Sequence, residues 1–179
     1  NIDDYLINVY KPFCLIIASD YPHGPFPKTG NYSKADIFKL PYDPNYVGNH
    51  KPGYYQNIQD DNDQLGKVLE MVEKYGHEES SMFIYASDHG LSGKWSLQEQ
   101  GLRLPFIVRW PGKIKPNTTS KTLLTLVDIL PTILEVSKTK IPRELDGKSF
   151  VESLKGDDKQ INEYIYCLLY TSPSPRDRS

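Results

Sequence analysis

A carboxylate and an imidazole stand side by side where an apolar segment of the chain ends. Asp88 and His89 follow the run Met82–Ala86, and Gly90 lets the backbone turn after them. The run has the length and the side chains of a buried strand. Ligands of open α/β sheets bind beyond the carboxyl ends of strands, so an oxygen and a nitrogen donor there predict a metal site. Taken alone, the pair could also be a turn cap and a surface imidazole.

The residues that follow favour the metal site over a capped turn. Lys94 lies in a short loop flanked by glycines, and an ammonium group beside a cation suits an anionic substrate oxygen. The segment 101–112 is typical of a further strand, and it ends in a Pro-Gly turn. Between residues 83 and 112 the chain therefore carries three motifs in order: Ser-Asp-His-Gly, Gly-Lys-Trp-Ser and Arg-Trp-Pro-Gly.

These three motifs resemble the C-terminal half of the sulfatase catalytic domain, within the alkaline-phosphatase-like superfamily. Several motifs in order are much more specific than any one of them. The resemblance implies that Asp88 and His89 bind one divalent cation, Ca²⁺, and that Lys94 is a catalytic residue that holds a sulfate oxygen. Many similar sulfatases have an amide side chain at the position of His89, and calcium prefers oxygen to nitrogen.

A second histidine follows another apolar segment near the start of the chain. The run Phe13–Ala18 predicts a buried strand, and the Pro- and Gly-rich segment after it contains His23. A loop histidine that packs on its aromatic neighbours is the simpler reading of His23 alone. The segment 11–26 nevertheless resembles the part of sulfatases whose histidine faces the sulfate group. The resemblance implies that His23 binds sulfate and is a catalytic proton donor to the leaving group.

The nucleophile of a sulfatase is not encoded in these residues. Sulfatases use a formylglycine made from the first residue of a Cys/Ser-x-Pro-x-Arg motif, and the sequences after Cys14 and Cys167 do not fit it. Neither cysteine has a zinc or redox spacing, and the apolar surroundings of Cys14 predict a buried free thiol. We expect the formylglycine upstream of Asn1 and no sulfatase turnover from the 179 residues alone.

The elements around these residues predict an α/β fold with a largely parallel sheet sandwiched by helices, truncated at the N-terminus. Apolar residues at helical spacing predict an amphipathic helix over Tyr54–Tyr75, between the two strands. A further helix is predicted over Leu123–Val136, where Asp128 would cap the free N–H groups and Pro131 would stand in the first turn. We expect His77, in a polar turn, to be solvated.

The composition limits the remaining possibilities. With 179 residues and a net charge of −2, the chain suits one domain and gives no reason to expect nucleic-acid binding. No apolar run is long enough to span a bilayer. Residues 1–166 are assigned to the C-terminal part of the catalytic domain. Residues 167–179 resemble a translated sequencing adapter, and we expect a non-native, disordered tail, although a genuine disordered terminus has the same composition.

Two alternatives to a sulfatase stay open from the sequence. Related phosphodiesterases and phosphonate hydrolases share the metal chemistry but commonly use two metals with more Asp and His ligands. A degenerate homologue could bind sulfated glycans without cleaving them. For a sulfatase, the substrate could be a sulfated polysaccharide, a glycosaminoglycan or a small aryl sulfate, and the oligomeric state is left open. The resemblance implies a periplasmic, extracellular or lysosomal location.

Overall fold

The computed structural model of the protein describes residues 1–23, 52–90, 99–157 and 159–165, in two compact units, Asn1–Glu78 and Glu79–Ser179. No helix within these ranges is long and apolar enough to cross a membrane. The helices and strands are α1 (Ile2–Asn8), α2 (Pro52–Lys74), β1 (Phe83–Ala86), α3 (Glu99–Leu102), β2 (Phe106–Arg109), α4 (Ile129–Val136) and α5 (Val151–Leu154).

Helix α2 is the main element of the first unit and confirms the helix predicted there. Its Val72 is buried, as is Leu6 of α1, which packs against α2. Two polar side chains of α2, Asn57 and Asp61, are also buried. Gly76 follows the end of the helix with a φ of 74°, a conformation that glycine adopts without steric cost.

Helix α1 is tied to the end of α2 by a small polar cluster. The Asn1 side chain caps α1 by accepting a hydrogen bond from the N–H of Asp3 at 3.1 Å. The hydroxyl of Tyr75 donates to Oδ1 of Asp3 at 2.7 Å, and Nζ of Lys74 donates to the same hydroxyl at 2.9 Å. The hydrogen bond from Tyr75 is the main reason that the pKa of Asp3 is lowered.

The prediction that His77 is solvated is wrong. The ring is half-buried, its Nε2 lies 3.1 Å from the carbonyl oxygen of Leu6, and it packs edge-on against Phe13. Because a carbonyl oxygen only accepts, Nε2 carries the proton of this hydrogen bond. Phe13 in turn packs edge-on against Tyr5, so His77 belongs to an aromatic cluster that fastens the segment after α1.

The buried strand predicted over Phe13–Ala18 is also not observed. In the part of the chain that the structure describes, this segment pairs with no strand, and Ile16 is 87% exposed. Cys14 is a free thiol, as predicted, but it is exposed rather than buried. The apolar sequence favours burial, but a strand forms only where a second strand satisfies its backbone groups.

The second unit contains the two-stranded sheet. Strands β1 and β2 pair in antiparallel register, with Phe83 opposite Arg109 and Ala86 opposite Phe106. The predicted sheet is largely parallel, whereas this one pair is antiparallel. Between the two strands, the described residues contain one short helix, the four-residue α3.

A buried carboxylate organises the region after the sheet. Asp128 is 1% exposed, and its carboxylate accepts hydrogen bonds from the N–H groups of Thr125 and Lys148 and from the amide of Asn162. The prediction that this side chain caps α4 is wrong. The side chain reaches back to the preceding turn and outward to later segments instead. Pro131 does stand in the first turn of α4.

Candidate metal and sulfate site

The segment that carries Asp88 and His89 is held at both ends by main-chain hydrogen bonds. The N–H of Ser87 donates to the carbonyl of Pro105 at 3.3 Å, just beyond the β1–β2 ladder. The N–H of Gly90 donates to the carbonyl of Gly101, in α3, at 2.8 Å. The Ser87 hydroxyl also donates to the carbonyl of His89. The two candidate ligands therefore lie on a short turn with a fixed backbone.

The hydrogen bonding of His89 determines which ring nitrogen can bind a metal. Nδ1 lies 2.8 Å from the carbonyl oxygen of Gly90, and this oxygen can only accept, so Nδ1 carries a proton. In the neutral ring, Nε2 then has the available lone pair, as in histidine ligands of metals whose other nitrogen donates to a carbonyl. Nε2 lies 3.7 Å from Oδ1 of Asp88, whose side chain is 79% exposed.

These two donor atoms fit a shared cation. Atoms 3.7 Å apart can both lie roughly 2.3–2.6 Å from one ion, the usual calcium–oxygen distance. Among the described residues there is no group of three or more His, Cys, Asp or Glu side chains that could hold a metal. Asp88 and His89 would therefore supply only part of a coordination shell.

His23 lies in the first unit, at the end of a tight turn. Its N–H donates to the carbonyl of Asp20 at 3.0 Å, and its carbonyl accepts a hydrogen bond from the side chain of Asn57 at 2.8 Å. His23 is exposed, whereas Asn57 is 2% exposed. Hydrogen bonds thus fix the backbone of His23 at both its N–H and its carbonyl. The residue itself is exposed, so solvent or a substrate can reach it.

The structure brings two of the four predicted site residues together, namely Asp88 and His89. Lys94 lies outside the described residues. His23 belongs to the other unit, so its place beside Asp88 stays a prediction. Asn57 was not expected from the sequence. Its spacing could have indicated that it is buried. Asn57 and Asp61 are about one helical turn apart and share a face of α2 with apolar residues.

Comparison with known proteins assigns the family. The sequence profile of the sulfatase family matches residues 1–139. The chain belongs to the sulfatase family. It is 41% identical over 171 residues to an ulvan-active sulfatase of Formosa agariphila, an alignment that covers 93% of this chain and 34% of that protein. The chain thus spans about a third of the length of the curated sulfatases it matches.

Solved structures confirm the alkaline-phosphatase-like α/β fold. A structure from work on glycosaminoglycan metabolism by Bacteroides thetaiotaomicron is 26% identical, with a TM-score of 0.68, and covers 92% of this chain and 39% of its own. A second structure, solved with its substrate D-glucosamine-2-N,6-O-disulfate, is 26% identical, with a TM-score of 0.58. It covers 64% of this chain and 24% of its own.

Proposed function

We propose that the protein containing this chain hydrolyses sulfate esters, and that the 179 residues supply part of its cation site and sulfate-binding groups. By the complete protein we mean these residues together with the part of the polypeptide that carries the formylglycine motif. The proposal rests on family membership together with one geometric observation. That observation is the hydrogen bond from Nδ1 of His89 to Gly90, which leaves Nε2 available beside the carboxylate of Asp88.

Each residue has a role that follows from its chemistry. Asp88 and His89 would hold one divalent cation, Ca²⁺, which when bound polarises the sulfate group and neutralises charge on its oxygens. Lys94 would hold a further sulfate oxygen through its ammonium group. His23 would bind the sulfate or protonate the oxygen of the leaving alcohol. The nucleophile, a formylglycine, would come from outside the 179 residues.

We further propose a sulfated glycan as the substrate, handled outside the cytoplasm. Support for the substrate comes from the relatives, one of which is named for ulvan, while another was solved with a disulfated glucosamine. A site for such substrates has to bind a compact anion on a polar sugar, and charge-assisted hydrogen bonds from lysine and histidine provide this.

The test compares ester types and ligand variants in the complete protein. We expect sulfate release from sulfated oligosaccharides or an aryl sulfate, little or no release of phosphate from matched phosphate and phosphonate esters, and no turnover by the 179 residues alone. Asp88→Asn should lower kcat/KM at least about 100-fold, because a cation ligand loses its charge. Asp157→Asn, in the exposed turn after α5, is the matched control.

Three outcomes would contradict the proposal. Faster cleavage of the phosphonate ester would favour the phosphonate hydrolase alternative. Tight binding of sulfated oligosaccharides without any release of sulfate would indicate a glycan-binding homologue. Equal activity of the Asp88→Asn and Asp157→Asn variants would exclude Asp88 from the cation site.

A further inference from the structure

The buried side chain of Asn57 holds the backbone of His23. Its amide nitrogen donates to the carbonyl oxygen of His23 at 2.8 Å, and Asn57 is only 2% exposed. We propose that Asn57 is a positioning residue, which acts on sulfate-ester hydrolysis through His23 without touching the substrate. This inference rests on the proposed function, in which His23 contacts the sulfate or the leaving group.

The geometry fixes His23 between a turn and a helix. On the amino side, the N–H of His23 closes a turn by donating to the carbonyl of Asp20. On the carboxyl side, the carbonyl accepts from Asn57, which stands in the 23-residue helix α2. The first bond is local and moves with the turn. The second fastens the turn to a rigid element 34 residues away in the sequence, so it sets where the imidazole stands.

Burial makes this hydrogen bond difficult to exchange for another one. A buried amide that loses its acceptor cannot form a replacement hydrogen bond with water. The hydrogen bond from Asn57 to the His23 carbonyl is therefore kept in one geometry. Because a catalytic group displaced by about 1 Å can lose roughly 100-fold in rate, a fixed backbone at His23 has a direct effect on rate. A side chain that only filled space in the unit would have no such effect.

The test replaces the amide by a carboxylate of nearly the same shape. Asn57→Asp removes the donor, since an ionised carboxylate only accepts, and it places charge against the His23 carbonyl. Gln59→Glu is the matched control, because Gln59 lies on the same helix and its amide donates to Oδ1 of Asp63 at an exposed position. In the complete protein, we expect Asn57→Asp to lower kcat about 10- to 100-fold and Gln59→Glu to change it less than about twofold.

A double-mutant cycle separates positioning from a general structural role. If Asn57 acts through His23, Asn57→Asp should cause no further loss of kcat/KM in a protein that already carries His23→Ala. A loss of the same size in both backgrounds would overturn the inference, and so would an unchanged kcat of the single variant. If Asn57→Asp does not fold, the same cycle is run with Asn57→Ala, which removes the donor without adding charge.

A structural readout keeps this inference separate from the proposed function. If the complete protein releases no sulfate from any ester, the proposed function fails, and crystal structures of the two variants then decide on Asn57. The inference predicts that His23 moves in the Asn57→Asp variant and stays in place in the Gln59→Glu variant. An unmoved His23 in both variants would overturn it.

Discussion

Oδ1 of Asp128 accepts the main-chain hydrogen bond of Lys148 at 2.8 Å, across twenty residues of chain. Oδ2 of the same carboxylate accepts from the N–H of Thr125 and the amide of Asn162, both at 2.9 Å. One buried side chain thus joins three segments of the second unit, and the carboxylate has no need of a cation because N–H donors satisfy both oxygens.

This arrangement predicts a large effect of Asp128→Asn on stability. An amide has only one acceptor oxygen, and its NH₂ group would face an N–H donor, so at least one of the donors around this buried side chain loses its partner. We expect a loss of about 2–3 kcal/mol in the free energy of unfolding, measured by urea denaturation. Asn162→Ala, which removes one donor, should cost about 1 kcal/mol. Equal losses for the two variants would contradict the central role of Asp128.

Two glycines predict opposite effects of the same substitution. A Cβ on Gly147 would overlap the carbonyl oxygen of Val127 and lie 2.9 Å from the N of Asp128. Because backbone atoms cannot rotate away, Gly147→Ala should destabilise the protein by about 1–3 kcal/mol. Among the described residues, a Cβ on Gly66 inside α2 would meet no atom within 4 Å beyond its chain neighbours and the nearby backbone of the helix itself, so Gly66→Ala should stabilise the protein by about 0.5–1 kcal/mol. Thermal unfolding of both variants checks the signs, and a stable Gly147→Ala would contradict the close approach.

The cluster at Asp3 predicts a pH dependence on the acid side. The pKa of Asp3 is lowered from its ordinary value of 3.8, chiefly by the hydrogen bond from Tyr75. A lowered folded-state pKa means that this carboxylate stabilises the folded state above the ordinary pKa, and that the contribution is lost as the pH falls through the lowered one. Tyr75→Phe should therefore raise the pKa of Asp3 and reduce the acid sensitivity of α1. A ¹³C titration of the Asp3 carboxyl measures this, and an unchanged pKa would exclude the hydrogen bond as the cause.

The proposed cation site predicts that one substitution of His89 is tolerated. His89→Gln places an amide oxygen near the position of Nε2, and calcium prefers oxygen, so the complete protein should keep its Ca²⁺ affinity within about tenfold. His89→Ala removes the ligand and should weaken binding by more than that. Calorimetric titration with Ca²⁺ after chelator treatment compares the two. If both variants bind as tightly as the unchanged protein, His89 is not a ligand.

The sequence was sufficient where the decisive interactions are local. Helix α2 follows from apolar residues at helical spacing, and strand β1 from a short apolar run. The adjacency of Asp88 and His89 places their donor atoms near each other once the strand ends. The family motifs within residues 83–112 predicted the alkaline-phosphatase-like fold, which the solved structures confirm.

The sequence failed where partners are distant in the chain. The run Phe13–Ala18 has strand composition, but composition does not provide a neighbouring strand. Nothing near His77 indicates that Phe13 and the carbonyl of Leu6 lie against its ring. Asn57 was missed for the same reason, because a polar residue on a helix does not reveal that its acceptor is the carbonyl of His23.

The hydrogen bond from the N–H of Gly90 to the carbonyl of Gly101 also bears on which positions of such a protein can change during evolution. It joins two residues that flank the interval from 91 to 100, directly after the proposed cation ligands. Insertions or deletions between those two glycines can therefore change the length of that interval while the backbone of Asp88 and His89 keeps its place. Lys94 is the one residue of the interval to which a role in binding sulfate is assigned above, so evolutionary change is expected at the positions around it.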